Sequence, residues 1–376
     1  MPPPQAKIEP ERLGERLAAL PGIERLREAA TPIAAYLVGG AVRDLLLGRQ
    51  RADIDVAVEG GVGELVRRLG GEARAHERFD TASVRVEGLD VDLAATRSET
   101  YARPGALPDV RPASLAADLS RRDFTVNAMA VPLAGDPELI DPHGGLEDLR
   151  RGELRVLYPG SFQDDPTRAL RAARYAARYG FALEGATADL IRHADLSTVS
   201  RDRTEAELRK LAAEPEARRA FELLREWGLL ELGPEALDLA AAVGELTAAE
   251  PWRQVAPRAE AVLAAALGHG VSEARELASA EPARPSEAVE RARGHTGVEL
   301  ALARALGAEW LDRYVLEWRG VRLEIGGSDL IAEGVAEGPA VGRGLREALR
   351  AKLDGEVDGR GEELRAALAA ARENVP

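Results

Sequence analysis

Asp53 and Asp55, one residue apart in Asp53-Ile54-Asp55-Val56-Ala57-Val58, are the side chains of this sequence best placed to do chemistry. Their alternation with apolar residues predicts a strand that puts both carboxylates on one face. Two carboxylates side by side repel unless a cation neutralises them, and an all-oxygen donor pair suits a hard divalent ion such as Mg²⁺. Just upstream, Leu37-Val38-Gly39-Gly40-Ala41-Val42-Arg43-Asp44-Leu45 reads as strand, tight turn and helix start. Such a turn aims backbone N–H groups and the positive end of a helix dipole at an anion, typically a phosphate. A phosphate cradle beside a carboxylate pair points to phosphoryl or nucleotidyl transfer. A third carboxylate is available in Leu89-Asp90-Val91-Asp92-Leu93, where Asp90 and Asp92 share a strand face.

Five further strings carry recognisable chemistry. Asp118-Leu119-Ser120-Arg121-Arg122-Asp123-Phe124-Thr125-Val126-Asn127 joins two guanidinium forks, suited to phosphate oxygens, to an Asp and an Asn that can bond ribose hydroxyls. Asp164-Asp165-Pro166-Thr167-Arg168 predicts a helix capped by Asp165, with Pro166 at its first position. Arg168, Arg171, Arg174 and Arg178 then fall along one face of that helix. The stretch 97–112 contains Arg103-Pro104-Gly105-Ala106-Leu107-Pro108 and reads as a loop, and Asp141-Pro142-His143-Gly144-Gly145 as a turn. Near the end, Gly338-Pro339-Ala340-Val341-Gly342-Arg343 predicts a helix start whose free N–H groups could meet a backbone phosphate.

The elements that position these residues change character along the chain. Residues 9–30 read as a helical lead-in. From about 33 to 157, short β-like runs (36–38, 54–58, 83–86, 91–95 and 127–131) surround a single clear helix near 41–47, the pattern of an α+β domain with a mixed sheet. After Pro166 the Leu/Ala/Arg/Glu periodicity is helical, with breaks near Pro215, Pro234, Pro251 and Pro285. With 376 residues the chain is long enough for two or more domains. It has no cysteine, so disulfides and thiolate metal sites are excluded, and its five histidines lack ligand spacing. No signal peptide or membrane-length apolar run is evident, so a soluble cytoplasmic protein is expected. The net charge of −14 argues against a nucleic-acid partner, but residues 168–219 reverse the sign with eleven basic and eight acidic side chains.

Taken together, these motifs resemble the bacterial tRNA CCA-adding enzyme and poly(A) polymerase family of nucleotidyltransferases (class II). The resemblance covers residues 36 to about 182 and, more loosely, 320–358. It implies an α+β, polymerase beta-like head domain followed by an all-helical neck, body and tail. The corresponding divisions are 1–30 for the lead-in, 31–157 for the head, 158–215 for the neck, 216–310 for the body and 311–376 for a tRNA-binding tail. It implies addition of C, C and A to the 3′ end of tRNA without a nucleic-acid template, from CTP and ATP, with release of pyrophosphate by two-metal catalysis.

Residue by residue, the resemblance makes Asp53 and Asp55 the Mg²⁺ ligands and favours Asp92 as the third catalytic carboxylate. It gives Gly39, Gly40 and Arg43 to the triphosphate, and Arg121, Arg122, Asp123 and Asn127 to ribose and phosphates. Asp165 and Arg168 become imitators of a base-pairing partner, while Asp164 replaces the family's usual Glu. Arg171 and Arg174 extend the nucleotide site along the helix, and Gly338, Gly342 and Arg343 face the acceptor and T arms of tRNA. The missing His-Asp doublet argues against the phosphohydrolase domain that some relatives carry. Specialised A-adding or CC-adding activity, a poly(A) polymerase and a catalytically silent RNA-binding protein remain as alternatives, and oligomeric state is open.

Overall fold

The structure is a computed structural model that describes residues 8–49, 53–70, 73–76 and 80–373; the side chains of Asp53 and of 73–76 lie outside the described part. It divides into two compact units, Met1–Glu231 and Leu232–Pro376.

The first unit opens with helices α1 (Leu13–Ala18) and α2 (Ile23–Ala30), then β1 (Ala35–Val38), α3 (Gly40–Leu46), β2 (Asp53–Val58) and α4 (Gly63–Leu69). Next come β3 (Ala73–His76), β4 (Thr81–Val86), β5 (Leu89–Ala95), β6 (Arg97–Thr100), β7 (Asp109–Pro112), α5 (Leu115–Ser120) and β8 (Ala130–Pro132). The unit ends with α6 (Gly145–Arg151), β9 (Glu153–Leu154), α7 (Ser161–Asp164), α8 (Thr167–Tyr179), β10 (Ala182–Leu183), α9 (Gly185–Ile191), α10 (Arg201–Ala212) and α11 (Ala217–Glu226).

Six strands form one sheet in the order β3-β4-β5-β2-β1-β8. β2 and β5 run parallel, and the other pairs in this sheet are antiparallel, so the sheet is mixed as expected. The parallel register sets Asp53 beside Asp90 and Asp55 beside Asp92. Alternation sends Ile54, Val56, Val91 and Leu93 into the core and leaves Asp55, Asp90 and Asp92 exposed on the opposite face. Part of that opposite face is covered by α5, whose Leu115 and Leu119 pack on Val38, Ala57 and Ala130. The uncovered part is where the carboxylates lie.

The secondary structure departs from the sequence reading in three places. Within 33–157 there are further helices, α4, α5 and α6, each of six or seven residues, too short to show a helical period above the sheet pattern. The stretch 127–131 is not one strand: Thr125–Asn127 forms a 3₁₀ turn, and pairing with β1 begins only at Ala130. The loop at 97–112 is a β-hairpin, with β6 and β7 in register from Arg97↔Pro112 to Thr100↔Asp109. Its β7 is exposed throughout and lacks the alternation that would have announced it.

The second unit is helical. Pro234–Leu246 packs against Arg258–Leu267 and Gly297–Ala305, and Pro339–Leu353 against Gly359–Arg372. Ile325, Leu330, Val335, Ala348, Ala367 and Ala371 form a buried cluster there. No helix among the described residues is long and apolar enough to cross a membrane.

One glycine fixes how the end of the sheet meets α6. A Cβ on Gly145 would lie 2.2 Å from the Thr125 carbonyl oxygen, a backbone atom that cannot turn away. Asp141 accepts the N–H groups of Gly145 and Leu146 at 2.7 and 2.9 Å, holding the helix start in that contact. Gly145→Ala is therefore expected to destabilise the first unit by about 1–3 kcal/mol, the usual cost of overpacking, in a urea unfolding curve. Gly135→Ala, where nothing lies within 4 Å but φ is +77°, should cost only its backbone strain of about 1 kcal/mol.

Candidate nucleotidyl-transfer site

Two adjoining hollows lie in the first unit and share Asp55, Arg121 and Arg122. The smaller, about 370 Å³, carries Asp55, Asp92, Asp118 and Ser83. The larger, about 660 Å³, is lined by Gly39, Gly40, Arg43, Asp123, Asn127, Asp165 and the α8 arginines Arg168, Arg171, Arg174 and Arg178, among others. Asp92 accepts a hydrogen bond from Ser83 Oγ at 2.5 Å. Asp90, on the same face, pairs instead with Arg85 at 3.6 Å and lines neither hollow. The donor set of Asp55 and Asp92, exposed residues on adjacent strands, fits a hard divalent cation. Asp53 heads β2 in register beside Asp90, and its side chain lies outside the described part.

A chain of buried polar groups joins the elements around the larger hollow. Arg43, 3% exposed, donates from Nε to Asp44 at 3.0 Å and from Nη2 to the Tyr179 hydroxyl at 2.6 Å. Its Nη1 donates to Asn127 Oδ1. Asn127 Nδ2 in turn donates to Asp123 Oδ1 at 2.9 Å, and Arg171 Nε donates to Asp123 Oδ2 at 2.7 Å. Burial opposes ionisation of Asp123, but the Arg171 charge and the hydrogen bonds from Asn127 and Arg171 overcome it and hold its pKa at about 2. The guanidinium of Arg43 also lies over the rings of Tyr175 and Tyr179, at 5.2 and 4.3 Å from their centroids. Arg171 and Arg174 lie over Tyr175 as well, at 5.4 and 4.9 Å.

The two arginines after α5 are aimed by a residue the sequence reading passed over. Asp118, buried within α5, accepts Arg121 Nη2 at 2.7 Å and Arg122 Nη2 at 2.8 Å. Burial again opposes its charge, yet the two guanidiniums hold its carboxyl below the usual range. The spacing was readable: three and four residues apart on a helix are neighbours. Glu99 of β6 accepts a second bond from Arg121 at 2.8 Å and one from the Tyr101 hydroxyl at 3.0 Å, so the hairpin grips the same guanidinium. Gly39 makes room for its neighbour. It has φ +67°, and a Cβ there would lie 2.6 Å from Arg122 Nη1. Its N–H is already given to the Met129 carbonyl at 3.2 Å, so Gly40 rather than Gly39 offers a backbone donor in this turn.

At the other wall, Arg168 is buried, donating to Ser161 Oγ and to the Arg121 carbonyl, both at 2.7 Å. Asp165 accepts the Thr167 N–H at 3.1 Å, which is the capping bond expected at the start of α8, and it also lines the hollow. Asp164 does not line the hollow; its carboxylate accepts the Tyr158 hydroxyl at 2.8 Å. Arg174 pairs with Glu214 at 3.7 Å, while its Nε is buried without a partner. Arg203, Glu207 and Lys210 from α10 complete the wall, and no motif in the sequence marked them.

Gly338, Gly342 and Arg343 belong to the second unit. Gly338 has φ +147° directly before the helix Pro339–Leu353, and Arg343 Nε is buried without a partner.

The mixed sheet with carboxylates on its two central strands, beside an arginine-lined cleft, defines the first unit as a nucleotidyltransferase head. Residues 35–155 match the family model described as "Poly A polymerase head domain", and residues 180–237 match "Probable RNA and SrmB- binding site of polymerase A". The chain is 44% identical over 207 residues to an A-adding tRNA nucleotidyltransferase of Aquifex aeolicus, covering 52% of this chain and 25% of that protein. It is 41% identical over 227 residues to a CC-adding tRNA nucleotidyltransferase of Deinococcus radiodurans, covering 57% of this chain and 60% of that one. It thus spans a quarter of the first of these relatives and three fifths of the second. A solved structure of a CCA-adding enzyme in an apo form superposes with a TM-score of 0.76 at 27% identity, covering 96% of both chains. The fold is therefore that of CCA-adding enzymes, a nucleotidyltransferase head followed by a largely helical remainder.

Two outcomes follow from the buried carboxylates. Asp118→Asn leaves two guanidiniums without their common anion and should cost about 3–5 kcal/mol, the usual effect of breaking a buried pair, by chemical denaturation. Asp123, with its native pKa near 2 and an unfolded value of about 3.9, adds stability that is complete above pH ~4 and lost as pH falls through about 2. Asp123→Asn should accordingly make the acid limb of the stability–pH curve shallower by about one proton between those limits.

Proposed function

We propose that the chain is a tRNA nucleotidyltransferase that adds C, C and A to the 3′ end of tRNA from CTP and ATP, releasing pyrophosphate. The observation that carries this reading is that the carboxylates of β2 and β5 adjoin the cleft of arginines and Asp165. Reaction centre, triphosphate binders and a base reader then lie in two adjoining hollows that share Asp55, Arg121 and Arg122. In this reading a terminal 3′-hydroxyl attacks the α-phosphate beside Asp55 and Asp92. A divalent cation such as Mg²⁺, held by Asp53 and Asp55 with Asp92 alongside, would lower the pKa of that hydroxyl and offset charge on the phosphates.

The chain's own groups supply the rest. Arg121 and Arg122, fixed by Asp118 and Glu99, present guanidinium forks to the phosphates, and Arg171 and Arg174 extend that cationic wall. Asp123 and Asn127, locked to each other, face the ribose. The Thr167 N–H and hydroxyl and the Arg203 guanidinium all donate to Asp165 Oδ1, which leaves Oδ2 to accept an amino hydrogen from a base. Arg168 keeps part of its guanidinium for the neighbouring ring nitrogen. Cytosine and adenine share that edge, an amino donor next to a ring-nitrogen acceptor, whereas uracil and guanine reverse it. The helix start at Gly338, with Gly342 and Arg343, would meet tRNA through backbone phosphates.

A second reading, a specialised A-adding enzyme that completes tRNAs already ending in CC, is favoured by the 44% identity to the A-adding relative. Transcripts ending at the discriminator base, after one C and after two C residues separate the two. Extension of all three to CCA, and no further, is the expected result. Addition of A to the third transcript alone would select the second reading, long A tails would select poly(A) polymerase, and no product would overturn the proposal. Asp55→Asn should reduce incorporation by at least about 10²–10³-fold. Because Asp55 is exposed, its melting temperature should match the wild type.

A further inference from the structure

We propose that Arg203, in the first turn of α10, is a positioning residue that sets which bases the cleft accepts, by locking Asp165 to the tip of the β6–β7 hairpin. The inference rests on the reading of Asp165 as a base-edge acceptor. Arg203 forks between two acceptors: Nη1 donates to the Gly105 carbonyl and Nη2 to Asp165 Oδ1, each at 3.0 Å. The same Oδ1 accepts the Thr167 N–H at 3.1 Å and the Thr167 hydroxyl at 2.6 Å. Three donors converging on one oxygen fix the rotation of the carboxylate, so Oδ2 is offered to a ligand in a single orientation.

The hairpin tip is held by the same neighbourhood. Gly105 donates its N–H to the Gln163 carbonyl at 3.1 Å, two residues before Asp165. It has φ +69°, and a Cβ there would lie 2.5 Å from the Thr198 carbonyl oxygen. The tip is thus pinned to the segment that carries the base acceptor, and Arg203 is bonded to both. A cation in the first turn opposes the helix dipole, so α10 gains nothing from Arg203 on its own. The two acceptors it bridges account for its place. Lysine keeps the charge but lacks the planar fork that spans them.

The consequence is a selectivity effect separable from phosphate binding. Equilibrium binding of CTP, ATP, UTP, GTP and inorganic tripolyphosphate, with Mg²⁺, would be measured on the full-length wild type, Arg203→Lys and Arg203→Met, with thermal melts in parallel. Wild type is expected to bind CTP and ATP more tightly than UTP and GTP. Both variants should lose about tenfold of that preference, the scale of one specific base contact. Arg203→Lys, which keeps the charge, should hold tripolyphosphate as the wild type does. A variant that weakens all four nucleotides by one common factor, or keeps the wild-type preference, would overturn the role of Arg203. A wild type with no base preference would instead overturn the reading of Asp165, and this inference with it.

Discussion

The buried chain Asp44–Arg43–Asn127–Asp123–Arg171 is the interaction on which the first unit depends. It ties three distant parts of the sequence together: α3 after the Gly39-Gly40 turn, the Arg121–Asn127 segment and α8. In a medium of low dielectric each of these groups needs its partner, and losing one leaves an uncompensated charge rather than a lost contact. The chain therefore acts as a register pin. It sets where α8 lies against the sheet, and so where the arginines of α8 and Asp165 stand relative to the carboxylates of β2 and β5. Three tyrosines assist: Tyr175 and Tyr179 present ring faces to Arg43, and Tyr158 links Arg168 to Asp164.

The same pairing reconciles a strongly acidic chain with a cationic cleft. The net charge of −14 is an average over a molecule that sets eight of its arginines around the hollow where phosphates would bind. Unpartnered arginines packed this closely would repel one another. Here acids behind them, Asp118 and Glu99 for Arg121, Asp123 for Arg171 and Glu214 for Arg174, hold the cations in place. Each acid is itself largely buried, so it orients a guanidinium without offering an exposed carboxylate to an incoming anion.

Much of this was legible from residue order because it depends on local periodicity. The alternation in Asp53–Val58 and Leu89–Ala95 announced strands with carboxylates on one face, and the observed register adds only which strand neighbours which. The arginine spacing from Arg168 to Arg178 announced a helix face. What could not be read were long-range partnerships. Nothing near Asp165 in the sequence points to Arg203, and nothing near Arg121 points to Glu99, because those contacts exist only once α10 and the hairpin are in place. The hairpin itself was hidden because β7 is exposed on both faces, so its residues carry no alternation. Asp118 is the exception, an i, i+3 and i+4 partner within reach of sequence reasoning that went unread.

The position of a bound nucleotide tests the central claim most directly. A crystal structure of the full chain with a non-hydrolysable CTP analogue and Mg²⁺ should place the triphosphate between Asp55 and the Arg121–Arg122 pair. The cytosine amino group should then lie within hydrogen-bonding distance of Asp165 Oδ2. A nucleotide bound outside this cleft, or one held by its phosphates with the base turned away from Asp165 and Arg168, would contradict the account.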